Sequence, residues 1–239
     1  MTYCVGIKLN QGLVMVSDSR TSAGVDNIST YSKMWRYGVP GERQFILCSA
    51  GNLATTQAVV AQIEQDMKTS AAVSLLTVAN LNEASEYIGR ISVECQQQNT
   101  GGGPAYESTF LLAGEITGDK HGLYLIYSQG NYIESSEQVP FLQIGETKYG
   151  KPILDRVIKA ETSLDSAALC GLVSMDATIR SNLTVGPPIE VAALEAGSLQ
   201  TSRYLSFNEN DEYLFGLRLS WNKLVEDSFN QLTPLVWPV

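Results

Sequence analysis

The sequence is short of the residues from which most catalytic sites are built. It has a single histidine, His121, in a turn-like "DKHG". A Ser-His-Asp triad therefore has little material, and any enzymatic reading needs a base other than histidine. There is no GxSxG elbow and no Walker A loop. The "GGGP" stretch follows a helical pattern rather than a strand, so it is not a dinucleotide fingerprint. The four cysteines, Cys4, Cys48, Cys95 and Cys170, are widely scattered and form no CxxC pair. With one histidine they offer little to zinc, and they read as reduced core cysteines of a cytoplasmic protein. No metal and no cofactor is expected.

Basic charge is also scarce. Sixteen Lys and Arg face 25 Asp and Glu, for a net charge of −9. This argues against nucleic acid and against an anionic membrane surface as partners. No apolar run is long enough to span a bilayer, and no basic segment followed by an apolar one marks a secretory signal.

What is present is a chain of 239 residues, 44% hydrophobic, with no linker, short-period repeat or low-complexity segment. It is read as a single domain over 1–239. "TYCVGIKL" and "GLVMVSDS", joined by "NQG", read as a β-hairpin. Val5, Ile7 and Leu9 fall on one face, Gly6 and Lys8 on the other. A second pair, "YSKMWRYG" and "RQFILCSAG", turns at Pro40 and Gly41. The period then becomes helical, with Asn52 as N-cap and Leu53, Ala54, Ala58, Ile63 and Met67 in a stripe. A second helix is expected from about Leu75 to Gln97, with Leu81, Ala84, Ile88, Ile91 and Cys95 on its apolar side. The loop "NTGGGPAYE" ends it. Strands resume in "STFLLAGEI", "LYLIYSQG", "NYIES" and "FLQIG". Helices follow at about 151–160 and 166–180, then strand-like "IEVAALEA", a polar stretch, and a last helix at about 212–224. Hairpins in each strand block imply antiparallel sheets, and each block is followed by a helix pair able to cover one face. The expected fold is α+β, a four-layer αββα sandwich.

The first residues are drawn into a strand at once, whereas most termini fray. Edge packing is one explanation. The other is that the terminus does chemistry. An α-amine titrates near neutrality, at about 7.7–8.0, which suits a general base. With Met1 removed, and Thr2 is small enough to favour that, Thr2 carries a hydroxyl nucleophile beside its own base. Asp18 and Arg20 in "SDSR" return beside the start of the first strand, and Lys33 lies in the strand that follows. A lysine near the hydroxyl favours alkoxide character, and a carboxylate between them keeps the lysine charged and oriented. Gly51, at a strand-to-helix turn, has a backbone N–H placed to act as an oxyanion donor. Each has a plainer alternative: Asp18 and Arg20 as a solvated turn pair, Lys33 as an edge lysine, Gly51 as a permissive turn residue.

At these residues the chain resembles the proteasome β-type threonine proteases, which are N-terminal nucleophile hydrolases, and among them the bacterial Anbu (ancestral beta subunit) branch. The resemblance rests on "TYCVGIKLNQGLVMVSDSRTSAGV", "SKMWRYG", "CSAGNLATTQ", "IGETKYGKPILDR" and "SMDATIRSNLTVGPP". It spans nearly the whole chain in order. It implies Thr2 as nucleophile after loss of Met1 with no propeptide, Asp18 and Lys33 as activating partners, Arg20 as a structural neighbour, and Gly51 as the oxyanion donor. Asp176 and Ser181 correspond to residues that support the terminal amine in a related bacterial two-component protease. Glu146 stands where a serine usually helps hold that amine, and it either orients the amine by charge or obstructs the pocket. The Thr2 to Lys33 spacing is one residue shorter than usual. The S1 pocket is expected near Gly51 and "DNIST". The partners implied are a peptide or protein substrate and further copies of the chain, in a ring or open spiral. An ATPase partner cannot be read from the sequence. A scaffold with little proteolytic activity, or an amidohydrolase of a small or modified peptide, uses the same residues.

Overall fold

The computed structural model describes residues 1–22, 28–98 and 103–238. The glycines Gly101 and Gly102 of the "NTGGGPAYE" loop, and Asp26 and Asn27 of "DNIST", lie outside the described residues.

Alternation along the strands is the source of the architecture, because the central strands β1 (Tyr3–Leu9), β2 (Gly12–Asp18), β6 (Arg43–Gly51), β7 (Ser108–Ile116) and β11 (Ile189–Glu195) are buried on both faces almost throughout. One five-stranded antiparallel sheet has the order β10 (Phe141–Gly145), β1 (Tyr3–Leu9), β2 (Gly12–Asp18), β11 (Ile189–Glu195), β12 (Arg203–Phe207). The other has β5 (Met34–Val39), β6 (Arg43–Gly51), β7 (Ser108–Ile116), β8 (Gly122–Ile126), β9 (Tyr132–Glu134) in sequence order. A small two-stranded antiparallel sheet, β3 (Arg20–Ser22) with β4 (Ile28–Thr30), lies between the two sheets along the chain.

Tyr3, Val5, Ile7, Val14, Val16 and Val191 turn to one side of the first sheet. There they pack on Leu154 of α3 (Lys151–Val157) and on Leu172 and Met175 of α4 (Leu164–Ser181). Phe45, Leu47, Phe110 and Leu112 of the second sheet meet Val59 and Ile63 of α1 (Leu53–Lys68) and Ile88 and Ile91 of α2 (Leu81–Gln97). The intervening strand residues, among them Cys4, Met15, Ile46, Cys48, Leu111 and Leu194, fill a third apolar layer between the sheets. Helix, sheet, sheet, helix is the expected αββα order. All four cysteines are buried. No helix among the described residues is long and apolar enough to cross a membrane.

Several local expectations needed correction. Asn52 does cap α1, accepting from the Thr55 amide at 3.0 Å. The buried stripe is however Thr55, Thr56, Val59, Val60 and Ile63, with Ala54 and Ala58 exposed. Hydrogen bonds make the threonines cheap to bury: Thr55 Oγ1 donates to Tyr106 O at 2.9 Å. The second helix starts at Leu81, not Leu75, because Asn80 and Glu83 form a reciprocal cap, with Glu83 N to Asn80 Oδ1 at 2.9 Å and Ala79 N to Glu83 Oε2 at 2.8 Å. The "polar stretch" after β11 contains an edge strand, β12. The last helix, α5, runs Glu212–Asn230, longer than expected, and has no buried residue.

Candidate active site

The β1–β2 hairpin sets the site. Its register opposes Cys4 to Ser17, which brings Asp18 at the end of β2 back to the start of β1. The Tyr3 amide donates to Asp18 Oδ1 at 3.1 Å, and the Gly186 amide donates to Oδ2 at 3.2 Å. Lys33 arrives from the other sheet. It lies one residue before β5, and its carbonyl accepts from the Ser49 amide of β6 at 3.1 Å. Its ammonium reaches Asp18 Oδ1 at 2.7 Å and the Arg20 carbonyl at 2.6 Å. Asp18 is fully buried and Lys33 is 6% exposed. Burial is the largest influence on Asp18 and raises its carboxyl from the usual range; the Lys33 charge and the two amides oppose it.

Thr2 is half-buried and stands one residue before the Tyr3 amide that bonds Asp18. The Glu146 amide donates to the Thr2 carbonyl at 2.7 Å, which extends the β1–β10 ladder to the terminus. Gly145, at φ +81°, allows this approach, since a side chain there would collide with the Thr2 carbonyl. The chain's first amine, on Met1, is lowered from its ordinary value by burial and then by the Lys33 charge, with Asp18 opposing. The terminus therefore feels both members of the ion pair.

Gly51 ends β6 at φ +115°, and a Cβ there would meet the Glu107 carbonyl. Asn52 N bonds Glu107 O on the β7 side, and Ser49 N bonds Lys33 O on the β5 side. Alternation along the ladder then turns the Gly51 N–H to the same side as Ser49, beyond the last bond at Lys33.

The remaining expected residues lie differently. Arg20 supplies a carbonyl to Lys33, while its guanidinium donates to the Leu183 carbonyl at 3.0 Å. It thus ties the Lys33 contact to the segment carrying Gly186. Glu146 touches Thr2 through its backbone; its buried carboxylate accepts from the Lys148 amide at 3.3 Å and from Asn182 Nδ2 at 3.2 Å. Asp176, on α4, is drawn to α5, where Arg218 Nε donates to Oδ1 at 2.6 Å, and its Oδ2 has no hydrogen-bond partner among the described residues. Ser181 ends α4 and is exposed. Sequence reasoning missed the Tyr3 and Gly186 amides, because a backbone donor leaves no mark in side-chain identity. It also missed Glu190, a buried carboxylate beside the site.

The arrangement sets a chain terminus within electrostatic reach of a buried lysine that is bonded to a buried carboxylate. The proteasome subunit family model matches residues 2–194. No curated protein matches the chain. Among solved structures, Anbu (ancestral beta-subunit) from Yersinia bercovieri is 40% identical with a TM-score of 0.95, over 99% of this chain and 100% of that one. A helical assembly of the Anbu complex from Pseudomonas aeruginosa is 39% identical with a TM-score of 0.93, over 98% of each chain. A Gly-1 mutant of Anbu from Hyphomicrobium sp. strain MC1 is 40% identical, also with a TM-score of 0.93, over 99% of this chain and 100% of that one. The chain belongs to the proteasome subunit family, in its Anbu branch.

Proposed function

We propose that the protein is an N-terminal threonine hydrolase of peptide or amide bonds, acting once Met1 has been removed. The observation that carries this reading is the buried Lys33–Asp18 ion pair, with Lys33 Nζ and Asp18 Oδ1 at 2.7 Å beneath a terminus whose amine is lowered. The free Thr2 amine takes the proton of the Thr2 hydroxyl as the oxygen attacks the carbonyl carbon. Such general-base assistance contributes about 10²–10⁴-fold. Lys33 stabilises the developing negative charge on that oxygen, and Asp18 holds Lys33 in place. The Gly51 N–H faces the carbonyl oxygen as it becomes an oxyanion, an interaction whose loss typically costs about 10²–10³-fold in kcat. The leaving amine departs with the proton, leaving an ester on Thr2. Water then hydrolyses the ester by the same groups in reverse.

Homo-oligomerisation accompanies this reading. α5 and the tail expose Phe215, Leu219, Leu224, Phe229, Leu235 and Trp237, more apolar surface than a lone subunit ordinarily leaves in water. The Pseudomonas aeruginosa relative was solved as a helical assembly. That same surface supports a second reading, an assembling scaffold with little hydrolysis. A threonine-directed electrophile separates the two: a single adduct on Thr2, absent in Thr2→Ala, supports the hydrolase, and an unmodified free Thr2 supports the scaffold.

A further inference from the structure

Glu190 is 6% exposed, and its hydrogen-bond partners among the described residues are hydroxyls. It sits on β11 opposite Ser17 of β2 and Ser206 of β12. An ionised carboxylate in such a place is costly unless its lone pairs are used, and a hydrophobic residue of similar shape often serves stability as well. The way its lone pairs are used is informative. The carboxylate bypasses its ladder neighbour Ser17, whose hydroxyl has no hydrogen-bond partner among the described residues. It takes Ser19 Oγ at 3.0 Å, Ser32 Oγ at 2.8 Å and Tyr204 OH at 2.6 Å. Arg36 stacks on the outer face of the Tyr204 ring, 4.0 Å from its centre.

Ser19 follows Asp18, and Ser32 precedes Lys33. Each serine also fixes backbone. Ser19 O accepts from the Tyr31 amide at 2.9 Å, and Ser32 Oγ accepts from the Met34 amide at 3.3 Å, closing a turn around Lys33. One carboxylate on a third strand thus grips both chain segments whose adjacent residues form the ion pair. Those segments approach from different sheets, and along the chain they are separated by the paired strands β3 and β4. Without a common anchor, a shift of either segment moves Lys33 relative to Thr2.

We propose that Glu190 is a positioning residue for the Asp18–Lys33 pair, acting through Ser19 and Ser32. This rests on the hydrolase reading for its consequence in activity, but its effect on Lys33 stands apart from that reading. The test uses the full-length protein with Met1 removed and an epoxyketone, resolving the maximal inactivation rate from the reagent's binding constant. Glu190→Ala is expected to lower the maximal rate by about tenfold to a hundredfold, the scale of a small misplacement of reacting groups, with the binding constant little changed. Glu190→Gln, which keeps the shape and one acceptor oxygen, is expected to recover most of the rate. Ser19→Ala and Ser32→Ala each reproduce part of the loss and keep the test open should Glu190→Ala fail to fold. In parallel, proton–nitrogen NMR of the lysine ammonium groups reports the ion pair directly. The protected Lys33 signal is expected to broaden or vanish in Glu190→Ala and to return in Glu190→Gln. Unchanged labelling in Glu190→Ala, with an unchanged Lys33 signal, overturns the positioning role. A wild-type protein that is never labelled overturns the hydrolase reading instead, and the Lys33 signal still decides the role of Glu190.

Discussion

The Lys33 ammonium, anchored to one sheet, bonds the Asp18 carboxylate, anchored to the other, at 2.7 Å with both side chains withdrawn from water. The pair makes chemistry and stability inseparable at this point. A lysine dedicated to catalysis would be removable at little cost to the fold; a buried one is not.

Lys33→Ala should therefore abolish threonine labelling and also destabilise the protein. It leaves Asp18 buried without its counter-charge, a loss of about 3–5 kcal/mol for a broken buried pair. The double variant Asp18→Asn/Lys33→Met should regain part of that stability while remaining inactive. Urea denaturation of the three proteins checks both statements.

The pH dependence follows from the terminus. The amine ordinarily titrates at 8.0 and is lowered here by burial first and Lys33 second. A depressed amine contributes stability that is full above 8.0 and is lost as pH falls through its folded value. After Met1 removal the amine is that of Thr2, the residue before the Tyr3 amide bonded to Asp18, and the same lowering is expected of it. The acidic limb of the inactivation rate should lie below 8.0. A limb at or above the ordinary value contradicts the assignment of the amine as base.

Gly51→Ala should cost activity and stability together. The position is at φ +115° and abuts the Glu107 carbonyl, so a methyl group forces the β6–α1 turn to shift, at about 1–3 kcal/mol of strain. A melting-temperature drop with loss of labelling is the expected result.

Arg218→Ala should loosen α5 more than it affects Thr2. The Asp176–Arg218 bond at 2.6 Å joins α4 to α5, and α5 otherwise holds on through the partly buried Leu214 and Leu217 and the Arg180–Asn222 bond, with no fully buried residue. Hydrogen exchange across 212–230 should accelerate, while the labelling rate changes by less than about threefold.

How much of this was legible in the sequence depended on where the signal resided. The αββα order was readable because strand and helix periods alternate in blocks. The return of Asp18 to the start of β1 was reachable because a hairpin must bring its end back to its beginning, whereas the approach of Lys33 from the other sheet is a matter of sheet packing. β12 was not, since Tyr204 and Leu205 lie exposed on an edge and the strand carries no clean alternation. Glu190 was hidden in "IEVAALEA", where a carboxylate in an alternating strand reads as facing water. Asp176 illustrates the limit of spacing arguments. Its position on α4 was expected, but the presence of Arg218 on a helix 42 residues away in sequence decides where its carboxylate turns.

The intact mass of the purified protein, before and after incubation with an epoxyketone, tests the central claim most directly. The account predicts loss of one methionine and a single adduct that disappears in Thr2→Ala. A protein that has lost Met1, is folded, and takes up no adduct would contradict it.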